Sequence, residues 1–150
     1  MNKRAWKGEI PVQFLYTAGV AGERFFTSLR DQGKLFGTRC PQCKTIFLPP
    51  RIFCERCFSG LEDWVEVKGR GRVYSYTVLH RDRKGQPLIK PIIVAMVSFD
   101  GVKGSLIHFV AGVEPNKMKI GMEVEAVFKD PSERKGSILD IKEFHAVPKG

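Results

Sequence analysis

A chain of 150 residues, 43% of them hydrophobic, has room for one domain, or for a small module joined to a domain of about 80 to 100 residues. No stretch approaches the roughly twenty apolar residues of a membrane-spanning helix, and the opening MNKRAWKGEIP has no apolar signal-peptide core; a soluble cytoplasmic protein is expected. The net charge of +9 invites an anionic partner, yet more than half of that excess lies between residues 69 and 90, which argues against a long basic track for a polyanion.

Residues 1–18 mix Trp6, Ile10, Val12, Phe14, Leu15 and Tyr16 with basic residues and Pro11, without the spacing of a long helix. Such a load of apolar side chains reads as an arm lying across a surface, with Trp6, Phe14 and Tyr16 as candidate anchors on a partner. Residues 21–32 are expected to be helical. Phe25, Phe26 and Leu29 form an apolar stripe between charged neighbours, and Gly33 supplies the stop.

A short strand over residues 34–39 leads to Cys40 and Cys43, and residues 45–48 return as a second strand ended by Pro49-Pro50. Residues 51–58 carry Cys54 and Cys57. Two C-x2-C turns facing each other complete a tetrahedron of thiolates around zinc. A disulfide framework would require an oxidising compartment that nothing in the chain indicates. A redox C-x-x-C belongs to a strand-to-helix setting absent here. Every cysteine is consumed, and a site closed by four sulfurs has no position for substrate. The zinc is therefore expected to be structural, with its loss unfolding the ribbon. DWVEVK at residues 63–68 alternates and closes the ribbon as a strand; Trp64 is expected in the core.

From Gly69 the pattern is β. A long strand covers residues 72–80, with Tyr74 and Tyr76 expected on one face, and residues 81–91 form a basic loop. Residues 92–99 are continuously apolar, as in a strand buried on both faces. Asp100-Gly101 marks a hairpin turn before a strand over residues 105–110. Residues 114–121 cross over. Residues 122–128 alternate, with Met122, Val124, Ala126 and Phe128 inward, and a last strand covers residues 137–144. Five strands with a crossover between the third and fourth fit a small Greek-key barrel of the OB type, and sequence alone leaves other small barrels open.

The expected architecture is therefore mainly β. An N-terminal arm and helix (residues 1–33) precede a four-cysteine zinc ribbon (34–68) and a five-stranded OB-type barrel (69–150). His80, His108 and His145 are scattered and are read as structural or surface residues, and no phosphate-binding glycine loop or Ser-His-Asp order occurs. The basic cluster of Arg70, Arg72, Arg81, Arg83 and Lys84 suits an anionic ligand, an acidic partner or plain solvation. Nucleic acid is the weaker reading, because Glu123 and Glu125 mark the fourth barrel strand and residues 91–150 carry no net charge.

Cys40-Pro41-Gln42-Cys43, Pro49-Pro50-Arg51, Cys54-Glu55-Arg56-Cys57, the run from Trp64 to Val78 (W-x-E-V-x-G-x-G-x-V-Y-S-Y-T-V) and Ile120-Gly121-Met122 occur in that order. Over about residues 20–145 the chain resembles the zinc-ribbon plus OB-fold family of acyl-CoA-associated proteins, accessory partners of thiolases and thiolase-like enzymes. The resemblance implies complexes with thiolase-superfamily subunits that carry the catalytic cysteine and histidines. It implies no catalytic residue in this chain, whose role is to bridge or stabilise the complex. Coenzyme A or acyl-CoA then becomes the candidate anion for Arg70, Arg72, Arg81, Arg83 and Lys84, since arginines bind phosphates by charge-assisted hydrogen bonds.

Overall fold

The structure is a computed structural model and describes residues 16–148. Trp6 and Phe14 lie outside the described residues; Tyr16 is exposed. Helix α1 (Gly19–Gln32) buries Phe25, Ser28 and Leu29, and Gly33 ends it in left-handed backbone, its N–H donating to the Leu29 carbonyl. The helix lies on strand β1 (Leu35–Arg39), which sits between β2 (Ile46–Phe47) and β3 (Asp63–Val67). Arg24 stands over the Trp64 ring, 4.4 Å from its centroid. Trp64 is thus half-buried under a cation rather than in the core, because β3 is an outer strand of its sheet.

The remaining strands are β4 (Arg70–Arg81), β5 (Pro87–Ser98), β6 (Val102–Lys103), β7 (Ser105–Ala111), β8 (Glu123–Phe128) and β9 (Ile141–Ala146). Five of them close a barrel in the order β4-β5-β7-β9-β8, with β7 and β9 parallel and the other neighbouring pairs antiparallel. This is the OB topology: a meander of three strands, then a crossover that lets the last strand enter between the third and fourth. The crossover winds one 3-10 turn at Pro115–Lys117. Gly71 makes closure feasible, for a Cβ there would lie 2.5 Å from the Ser98 carbonyl oxygen.

The ribbon and the barrel are not separate bodies. β6 pairs in parallel with β2, and the Leu48 N–H donates to the Lys103 carbonyl at 3.0 Å. One apolar cluster runs from Phe25 and Leu29 through Leu35, Leu48 and Val67 to Val97, Val124, Ile141 and Phe144. A smaller cluster of Cys40, Phe47, Cys54 and Leu61 fills the ribbon. Among the described residues no helix is long and apolar enough to cross a membrane.

Four further expectations are corrected. The segment over residues 92–99 is not buried on both faces. Ile93, Ala95 and Val97 point into the barrel, whereas Ile92, Val94 and Met96 lie on the outside. The basic loop is shorter than residues 81–91, because Arg81 pairs with Pro87 and only residues 82–86 turn. Asp82 makes that turn compact, its Oδ1 accepting from the N–H groups of Lys84 and Gln86 at 2.8 Å each. Tyr74 and Tyr76 do not share a face. The β4–β5 register steps from Val73↔Val97 to Ser75↔Met96, so Tyr74 is a bulge residue and the alternation inverts after it. Finally, the last strand starts at Ile141, because Ile138–Asp140 form a 3-10 turn capped reciprocally by Ser137 and Asp140.

Candidate metal centre and basic surfaces

Each cysteine pair sits on a tight knuckle, and the two knuckles repeat one another. The Cys40 carbonyl accepts from Lys44 N–H at 3.0 Å and the Cys54 carbonyl from Phe58 N–H at 2.9 Å. Lys44 and Phe58 both take left-handed backbone, at φ 60° and 58°. That conformation is uncommon outside glycine, and here it turns the chain back so that the Thr45 and Ser59 carbonyls accept from the Cys40 and Cys54 N–H groups, each at 2.9 Å. The Cys43 N–H donates to Cys40 Sγ at 3.3 Å.

The four sulfurs all lie within 4.8 Å of one another, with Cys40 Sγ 3.4 Å from Cys57 Sγ. Zn–S bonds of about 2.3 Å in a tetrahedron put the sulfurs about 3.8 Å apart, so the donor set fits zinc in both chemistry and span. Cys40 and Cys54 are buried, and Cys43 and Cys57 are half-exposed. Hydrogen bonding to Ser59 pulls the Cys57 thiol down to about 6. Hydrogen bonding to Cys57, followed by burial, pushes Cys43 up to about 12. All four sulfurs can be thiolates at once only when a cation offsets their charge. The loop between the knuckles is fastened by Thr38, whose Oγ1 accepts from Arg51 N–H at 3.0 Å and donates to the Arg51 carbonyl at 2.9 Å. Glu55 bridges Arg51 and Lys103, tying the second knuckle to the barrel side.

The basic residues divide into two groups. Arg70 and Arg72 lie at the start of β4, and both reach Glu123, at 3.0 and 2.9 Å. They line an open depression of about 840 Å³ together with Lys117, Lys119 and the apolar Val113, Ile120 and Met122. Arg81, Arg83 and Lys84 stand at the far tip of the β4–β5 hairpin, where Arg81 donates to the Gly85 carbonyl at 2.9 Å. Arg72 and Arg81 are nine residues apart on one strand, about 30 Å at the usual rise of about 3.3 Å per residue. A single small anion cannot touch both groups. Lys117 and Lys119 escaped the sequence reading because they belong to the crossover, far from β4 in the chain.

The histidines stay apart. His108 points into the barrel, its Nε2 3.2 Å from the Ile138 carbonyl, and burial lowers its pKa, so the ring is neutral near pH 7. His145 is exposed, 3.4 Å from Glu143, and His80 is exposed on the hairpin. The other buried polar side chains, Ser28, Thr38 and Asp140, have backbone partners. No nucleophile-and-base pair is assembled among the described residues.

A four-thiol ribbon braced on a closed OB barrel defines a two-module class of zinc-ribbon/OB-fold proteins. Residues 27–62 match the rubredoxin-like zinc ribbon domain of ChsH2, and residues 64–129 match its C-terminal OB-fold domain. A DUF35 domain-containing scaffold protein of Methanocaldococcus jannaschii is 31% identical over 108 residues, 71% of this chain and 75% of that protein. A probable enoyl-CoA hydratase alpha subunit of Thermomonospora curvata is 37% identical over 102 residues, 67% of this chain and 31% of that longer protein. The solved Ltp2-ChsH2(DUF35) aldolase superposes with a TM-score of 0.58 at 32% identity, covering 75% of this chain and 87% of that one. The chain belongs to the DUF35 family.

Proposed function

We propose that this protein is a non-catalytic, zinc-braced scaffold subunit of an acyl-CoA-processing complex whose chemistry resides in a thiolase-type partner. The observation that carries the reading is the convergence of all four cysteines into one closed site. Thioester chemistry needs an activated nucleophile and oxyanion donors, and zinc thiolates closed on all sides supply neither. The kinship supports the same division of labour: one relative is a scaffold protein, another is the DUF35 chain of an aldolase, and a third is a probable enoyl-CoA hydratase alpha subunit. In this reading residues 34–68 are the metal-braced module and residues 69–150 the barrel that meets the partner. Reduced thiols suit a cytoplasmic setting.

Arg70 and Arg72, joined by Lys117 and Lys119, are the candidate contacts for the phosphates of coenzyme A, because they share one depression with apolar side chains. Arg81, Arg83 and Lys84 suit an acidic partner surface. The nucleic-acid reading loses its stacking pair to the bulge at Tyr74.

The experiment is co-expression of the full chain with a thiolase-type subunit from the same genome, followed by size-exclusion chromatography and metal analysis. One zinc-containing peak holding both chains, which retains coenzyme A less well after Arg70→Glu with Arg72→Glu, is the expected result. Elution of the two chains apart would refute the scaffold reading; unchanged CoA retention would refute only the phosphate contacts.

A further inference from the structure

The two sides of the barrel are built differently. On β8 and β9 the outward positions are mainly polar, among them Glu125, Lys142, Glu143 and His145, with Val127 the apolar exception, as expected for strands that face water. On β4, β5 and β7 the alternation that sends Ala95, Val97, Leu106 and Val110 inward sends Leu79, Ile92, Val94, Met96, Ile107 and Phe109 outward. These six are cross-strand neighbours: Leu79 faces Ile92, Val94 faces Phe109, and Met96 faces Ile107. They form an apolar patch on the sheet, bordered on β4 by Ser75 and Thr77, with Ile107 63% and Phe109 43% exposed. Contiguous exposed apolar surface of this kind marks an interaction site, whereas isolated exposed side chains do not.

The hairpin beyond this face makes the same point. Between the pairs Leu79↔Ile92 and Arg81↔Pro87, two steps along β4 are matched by five along β5. The surplus bulges outward and carries Ile89, which is fully exposed. β7 has ended by this point, so the arm is a bare two-stranded ribbon, a form that is marginal in water unless something packs on it.

Charge selects the occupant. The arm carries Arg81, Arg83, Lys84 and Lys90 against Asp82, whose carboxylate is held by the turn. In an isologous dimer the same patch serves both copies, and this one offers its own cations no carboxylate but the turn-held Asp82. The segment before residue 16 is also cationic, with Lys3, Arg4 and Lys7 against Glu9. We infer that the outer face of β4, β5 and β7, extended by the basic hairpin, docks the acyl-CoA enzyme subunit through an apolar patch bordered by carboxylates. This rests on the scaffold reading and names the surface that performs it. The apolar face supplies the contact and the hairpin cations set register and association rate.

The test takes the full zinc-loaded chain and the purified thiolase-type subunit used for co-expression, with affinity measured by calorimetry. Ile107→Asp with Phe109→Asp is expected to weaken binding about 100-fold or more, the scale of a lost central apolar contact. Glu125→Lys on β8 is expected to bind like the unaltered chain. Hydrogen exchange on the unaltered complex adds a readout that needs no variant: protection should rise over residues 92–96 and 105–110 and not over residues 123–127. Unchanged affinity of the double variant, or protection on the β8 side alone, overturns the assignment and leaves the scaffold reading standing. Absence of any complex overturns both. Self-association of the unaltered chain, abolished by Ile107→Asp with Phe109→Asp, assigns the face to a second copy and also overturns it. Should the double variant lose its fold or its zinc, the exchange pattern decides.

Discussion

Lys44 and Phe58 hold equivalent places in the two knuckles, and neither is a glycine although both need left-handed backbone. Holding such residues costs on the order of 1 kcal/mol or more each, which the closed thiolate site must offset. Cys40→Ser is therefore expected to lose zinc and expose the ribbon to proteolysis between residues 40 and 60. Metal analysis with limited digestion checks it, and full zinc content in the variant would refute the site. Asp140 is the other decisive single residue, buried to 1% exposure with three N–H donors, from Lys135, Gly136 and Ser137, at 2.9, 2.7 and 3.2 Å. Burial acts to raise its pKa, but the backbone hydrogen bonds outweigh it and hold the carboxyl below the ordinary 3.8. A depressed folded-state pKa adds stability above about pH 4 that is lost as pH falls through the folded value. Asp140→Asn is expected to cost about 2 kcal/mol at pH 7, with the gap to the unaltered chain narrowing below pH 4. Urea midpoints across that range measure it; a gap independent of pH would contradict it. The ligand cysteines were legible because spacing alone encodes them. The knuckle conformations were not, since Lys44 and Phe58 carry no glycine signal. Nor was the pairing of Arg70 with Glu123, whose partners lie 53 residues apart.

At the level of elements, alternation and turn residues recovered the helix, the ribbon strands and the barrel strands, and the errors came where a strand departs from period two. The extra residue at Tyr74 reverses the faces of β4, and no local feature of VYSYTV announces it. The apolar run over residues 92–99 looked buried on both faces because its outward residues, Ile92, Val94 and Met96, are apolar too, and composition alone does not separate an apolar outer face from a second buried one. The basic loop was overestimated because it contains Pro87 and Pro91, residues unsuited to a strand interior; here they lie on an arm whose outer edge has no strand neighbour among the described residues to receive an N–H. The joint between ribbon and barrel was equally hidden, since β6 is two residues long and pairs with a strand far upstream. Gly104 sits at that joint with φ 103°, and a Cβ there would lie 2.1 Å from the Leu48 carbonyl oxygen. Gly104→Ala is expected to part β6 from β2 and to cost at least about 2 kcal/mol. Amide exchange at Leu48, whose N–H bonds to Lys103, reads this directly; undiminished protection would contradict it.

Across the whole molecule, helix, ribbon base and barrel share one core, and the separate cysteine cluster is tied to it by the β2–β6 pairing and the Glu55–Lys103 ion pair. That suits a scaffold: a rigid body with an apolar sheet face and a basic hairpin on one side, a cationic depression at the start of β4, and no assembled catalytic group among its described residues. The measurement that bears most directly on this account is turnover of an acyl-CoA thioester panel by the purified, zinc-loaded chain alone and after addition of the thiolase-type subunit. The account expects no turnover above buffer from the chain alone and turnover once the subunit is present; thioester turnover by the isolated chain would contradict it.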